Sequence, residues 1–243
     1  MPKGTVTYKT KISGVLIKDF VVSPDNAYSD EIKLNTDAEG QLILELSVDG
    51  LYSGEEMHEE LVHEIRRILG LIGYEFNATI GDIQFASSRL PKRNGNGIDT
   101  VIYPGAIMID RLEEEIEPKN EMLQTMKSAL ESEETYKERF YPMYTFSNSQ
   151  SDPVTRFMFL YNLVLSLCND DQKNVDSTIL SIEPNTPVSK SPRNNCDETI
   201  YTKLRNEVAH VRAGSSYGNS VTEIKSNVSN FVDIVRTLVG NQN

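Results

Sequence analysis

The period of the apolar residues changes once along this chain, near Asp110, and that change limits the folds open to it. Before it, apolar residues recur mostly in strand fashion. Thr5 to Ile12 alternates, Val15 to Val22 is rich in branched side chains, and Leu42 to Val48 alternates until Asp49-Gly50 interrupts it. One helix is expected among these strands. Ser53 and Glu56 have capping-box spacing, Met57, Leu61, Ile65, Ile68 and Ile72 share a helical stripe behind them, and Gly70 and Gly73 mark its end. Strand-like segments resume over Phe76 to Ala86 and Ile98 to Ile109, on either side of a turn at Pro91 to Gly97.

After Asp110 the period is helical. Arg111 to Arg139 is dense in glutamate and reads as a helix with a solvated face. Asp152-Pro153 supplies a cap and a first-turn proline for Val154 to Cys168, which is apolar nearly all round. Asp171 to Ile182 is a shorter helix, and the proline-bearing stretch Glu183 to Asn195 is a loop. Asp197 is expected to cap a helix through about Arg212. Ser220 and Glu223 box the start of a last helix, whose stripe is Val221, Ile224, Val228, Phe231, Val235 and Leu238. The expected class is α+β: a mixed α/β-sheet domain over residues 1–110, then an all-helical bundle over 111–243.

Charge narrows the partners. The 243 residues carry a formal charge of −12, which argues against binding nucleic acid or membrane surfaces through bulk positive charge. From Pro184 onward, however, seven basic residues face five acidic ones, so any contact with a polyanion belongs there. Two cysteines, Cys168 and Cys196, make neither a disulfide framework nor a zinc site. The start of the chain lacks a signal-peptide pattern, and the longest apolar run, Phe157 to Cys168, is 12 residues and too short to span a bilayer. A cytoplasmic protein without membrane contact is the expectation.

The chemistry-bearing segment is Tyr201 to His210. At about 100° per residue, Ile200, Leu204, Val208 and Val211 form the expected core stripe, and Arg205, Asn206 and His210 point away from it around the small Ala209. A polar helix face is ordinarily only solvated. Here it holds one of only three histidines, within the most basic part of an acidic chain.

Arg205-Asn206-Glu207-Val208-Ala209-His210 resembles the R-x4-H signature of HEPN domains, including the asparagine that often follows the arginine. The resemblance covers roughly Lys119 to Val239. It implies a helical bundle that dimerises through the motif helix, pairing two motifs in one cleft, and a metal-independent endoribonuclease with no cofactor. Relatives include abortive-infection proteins of antiviral defence, toxins and CRISPR-associated effectors. Arg205, Asn206 and His210 are then the catalytic candidates, and Lys203 and Arg212 candidate RNA contacts. The residue types suit the reaction. An imidazole moves protons near neutral pH while a guanidinium stabilises phosphate charge, as the RNA 2′-hydroxyl attacks the adjacent phosphorus. Arg212 stands where some toxins of the family have a modifiable tyrosine, so that form of control is not expected. A single motif requires a homodimer or a HEPN-containing partner.

Two further readings stand beside this one: a catalytically inactive HEPN-like dimerisation or RNA-binding module within a defence complex, and a small-ligand sensor whose N-terminal domain holds a nucleotide or sugar. That domain is also where a regulatory protein or ligand is expected. His58 to His63 is one residue too long for the zincin H-E-x-x-H, so no metal is expected there. Arg89, Lys92 and Arg93 flank a Gly-rich turn without P-loop spacing.

Overall fold

A computed structural model describes residues 3–25, 27–94, 97–103, 117–210 and 216–242. The chain is α+β, with the sheet first and most of the helices after it. It forms two compact units, Met1–Thr145 and Phe146–Asn243. The division therefore falls later than the composition border at residue 110. The reason lies in the packing of Asn120–Leu130, which belongs to the first unit through a buried arginine described below.

The first unit is built on an antiparallel sheet of β1 (Lys3–Ser13), β2 (Phe20–Val22), β3 (Ser29–Thr36), β4 (Gln41–Asp49), β6 (Gln84–Pro91) and β7 (Ile98–Ile102). The order is β2-β3-β4-β1-β6-β7, and the two-residue β5 (Thr79–Ile80) pairs with the end of β1. Alternation has its usual consequence: Val6, Tyr8 and Ile12 of β1 and Leu42, Leu44, Leu46 and Val48 of β4 are buried, while their neighbours are partly exposed. Strand β3 has only Ile32 and Leu34 as apolar residues, so composition hid it. The branched run Val15 to Val22 yields only an isolated bridge at Val15 and the three-residue β2, and Gly14 and Asp19 adopt positive φ (88° and 47°) where the chain turns.

Helix α1 runs over Glu59–Phe76, not from Ser53. His58 caps it by accepting the Glu60 N–H at Nδ1. The box residues are used elsewhere: the Ser53 N–H donates to the Pro91 carbonyl, and Glu56 accepts from the Ser88 hydroxyl. Leu61, Ile65, Ile68 and Ile72 are buried as the stripe requires, whereas Met57 lies outside the helix and is exposed. The glycines do not end the helix. Asn77, at φ 52°, does. Gly70 instead admits Pro142 of α3 (Tyr141–Asn148), since a Cβ there would lie 2.7 Å from the proline nitrogen, and the Thr145 hydroxyl donates to the Gly70 carbonyl. In an open helix Gly→Ala gains about 1 kcal/mol. Gly70→Ala is expected to lose about 1–3 kcal/mol, because rigid backbone must move. Urea unfolding measures the sign, and a gain would refute the close approach.

The expected long helix from Arg111 to Arg139 is α2 over Asn120–Leu130 only, followed by a 3₁₀ turn at Lys137–Phe140. Residues 111–116 lie outside the described residues.

The second unit contains α4 (Pro153–Leu167), α5 (Gln172–Ile182), a hairpin of β8 (Val188–Lys190) and β9 (Asp197–Thr199), α6 (Ile200–His210) and α7 (Tyr217–Gly240). Asp152 and Asp171 cap α4 and α5, accepting the Thr155 and Lys173 N–H groups. The loop expected at Glu183 to Asn195 contains β8. Phe231 of α7 is central: it stacks on Tyr201 of α6 at 4.4 Å and lies 5.2 Å from Phe157 of α4, centroid to centroid. The expected α7 stripe is buried except Val221, but the helix begins at Tyr217, which places Ser220 inside its first turn. Among the described residues no helix is long and apolar enough to cross a membrane.

Candidate active site

The start of α6 is fixed by Thr199. Its hydroxyl accepts the Thr202 N–H at 3.3 Å and donates to Asp176 of α5 at 2.7 Å. Asp197, the expected cap, instead pairs with Lys190 across the hairpin. Thr202 in turn shares a 2.8 Å hydrogen bond with the Tyr161 hydroxyl of α4. This chain of polar contacts sets the rotation of α6 against α4. Its buried residues are Tyr201, Thr202, Leu204 and Asn206, whereas Ile200 and Val208 of the expected stripe are only half-buried. Val211 lies outside the described residues.

That rotation changes the surroundings of the motif. Asn206 does not point away from the core. It is 8% exposed, and its Oδ1 accepts from Arg205 Nη1 at 3.0 Å. Arg205 is half-buried, not free-reaching, with its guanidinium carbon 5.7 Å from the centre of the Tyr161 ring. The same Nη1 lies 3.3 Å from His210 Nε2. A guanidinium can only donate, so the contact is a hydrogen bond when the imidazole is neutral with its proton on Nδ1. His210 is exposed, and Arg205 Nε is buried without a hydrogen-bond partner. Arg205, Asn206 and His210 therefore gather in one cluster, graded from the buried asparagine to the exposed imidazole.

Lys203 is not part of it. Its ammonium pairs with Glu223 of α7 at 3.1 Å and with Glu207 at 3.9 Å. Glu207 also accepts a 2.6 Å hydrogen bond from Ser220, so this carboxylate is held in place. Lys203, nominated as an RNA contact, ties α6 to α7 through these carboxylates. Arg212, the other nominated contact, lies outside the described residues.

Sequence reasoning missed Tyr161, Thr199, Thr202 and Asp176. Only Tyr161 left a signal, as a hydroxyl in an otherwise apolar helix, which must find a partner when buried. Burial pushes its phenol up to about 12, so it stays neutral and acts as ring support and hydrogen-bond partner. Elsewhere, Lys92 pairs with Asp99 and Arg93 with Glu55, so the Gly-rich turn offers no uncommitted pair of cations.

No protein-family model matches the chain, and neither a curated protein nor a solved structure is found similar to it.

Proposed function

We propose that this chain is a metal-independent endoribonuclease of HEPN type, acting as a dimer through the Arg205–His210 helix in an antiviral or toxin system. The observation that supports the reading most is the cluster itself: a guanidinium within hydrogen-bonding distance of an exposed imidazole whose Nε2 is an acceptor. Once Arg205 turns from Nε2 to a phosphate oxygen, the freed lone pair can take the proton of a 2′-hydroxyl and pass it to the leaving 5′-oxygen, while the guanidinium stabilises the charge that develops on phosphate. Asn206 orients Arg205 in this scheme and does not touch RNA, since it is buried and its oxygen is occupied.

Asn206 also favours a second reading, an inactive HEPN-like dimerisation or RNA-binding module, because a buried asparagine serves packing as well as catalysis. Cleavage separates the two. In EDTA, the wild type is expected to cut single-stranded RNA to fragments ending in 2′,3′-cyclic phosphate, and a folded Arg205→Ala protein to lose about 10²–10³-fold in rate. A folded, dimeric wild type that leaves RNA intact would support the inactive module, whereas an undiminished Arg205→Ala rate would place the cutting outside this cluster.

A further inference from the structure

The first unit holds a cavity of about 780 Å³ between the first turns of α1 and the segment after α2. Ligand cavities of that size are usually apolar with a few polar groups. This one is lined by six carboxylates against the guanidinium of Arg67 and two imidazoles, His58 and His63, the latter 3.7 Å from Glu134. Arg67 is itself committed, with its Nε and Nη2 donating to Glu138 and its Nη groups to the carbonyls of Ala129, Leu130 and Ser132.

One lining group is incomplete. Glu64 is 5% exposed, yet its Oε1 has no hydrogen-bond partner. Arg67 Nη1 is 3.8 Å from that oxygen, too far to donate to it. A buried carboxylate oxygen without a donor is costly and calls for a positively charged donor from outside. Burial pushes the Glu64 carboxyl above the usual carboxylate range, with Arg67 opposing the shift incompletely.

The distribution of charge identifies the ligand class. Among the described residues, no three His, Cys, Asp or Glu side chains converge as ligands of a metal ion. The negative charge is strung out instead. Glu60 and Glu64 are one helical turn apart, about 6 Å along α1, and Glu133 and Glu134 face them from the segment after α2. Ammonium groups separated by short alkyl linkers have a similar spacing, and each brings N–H donors that fit an orphaned carboxylate oxygen. We propose that this cavity binds a linear polyamine, with one ammonium on Glu64 Oε1 and the others along Glu60 and Glu134. The proposal is independent of the nuclease reading.

The test is calorimetric titration of the full-length protein with spermine at fixed ionic strength. Saturable binding is expected, weakened at least tenfold in the isosteric Glu64→Gln protein. Should that variant unfold by circular dichroism, the surface double variant Glu60→Gln/Glu134→Gln decides, with at least a threefold loss expected. Magnesium at matched ionic strength is expected to displace little spermine. Non-saturable binding, equal displacement by magnesium, or unchanged affinity in the variant that decides would each overturn the proposal.

Discussion

Arg67→Ala is expected to destabilise the first unit by about 3–5 kcal/mol, the range for breaking a buried charge network by removing one partner. Arg67 is 6% exposed and is the donor shared by Glu138 and three carbonyls at the end of α2. Alanine leaves the buried Glu138 without its cation and those carbonyls without their donor. Glu64 adds a pH dependence. Its carboxyl titrates above the ordinary range in the folded protein because it is buried, while Arg67 pulls it down. The folded state therefore holds that proton more tightly than the unfolded chain does. Its stabilising effect is complete below the ordinary carboxylate range and is lost as pH rises through the elevated value. Without Arg67 the elevation grows, so the deficit of the variant is expected to be larger at pH 7 than at pH 4. Urea midpoints at the two pH values measure this. A loss below about 1 kcal/mol at pH 7, or a larger loss in acid, would contradict the network.

The same arginine shows why the unit border was illegible. Sequence reasoning reads the glutamate-rich stretch after Asp110 as a change of character, and among the described residues its charges are mostly exposed. What assigns α2 to the first unit is its packing on α1 and β2, with Met126 and Leu130 buried and Arg67 reaching the carbonyls at its end, and no local pattern announces contacts between residues so distant along the chain. Periodicity was enough where burial follows it: β1, β4, α4, α5 and the stripe of α7 lie where the alternation or helical spacing put them. Local cap signals were less reliable. Ser53 and Ser220 have the right spacing, but tertiary hydrogen bonds to Pro91 and Glu207 claim their groups. Glycine was misread for a related reason, since at Gly70 the missing Cβ makes room for Pro142 and does not stop a helix. At the candidate site the spacing located Arg205, Asn206 and His210 on one helix, with Asn206 a turn from His210 and Arg205 flanking them, but the contact of Arg205 with His210 emerges only in the structure. The wheel could not supply the rotation of α6. That depends on Asp176, Thr199, Thr202 and Tyr161, drawn from α4, α5, β9 and α6 itself, and it is what turns Asn206 inward.

His210→Ala is expected to slow RNA cleavage by about 10²–10⁴-fold, the usual contribution of a positioned acid or base, with little change in stability because the imidazole is exposed. Initial rates in EDTA, together with urea midpoints, separate the two effects, and a rate within twofold of wild type would end the assignment. The geometry makes a sharper demand on how the dimer works. Arg205 Nη1 and His210 Nε2 meet at 3.3 Å within one protomer, so each chain carries its own acceptor–guanidinium pair. When Arg205→Ala and His210→Ala chains are mixed and allowed to exchange subunits, every mixed dimer has one broken pair on each side. No recovery of cleavage is expected. Recovery would mean that the imidazole of one chain works with the guanidinium of the other.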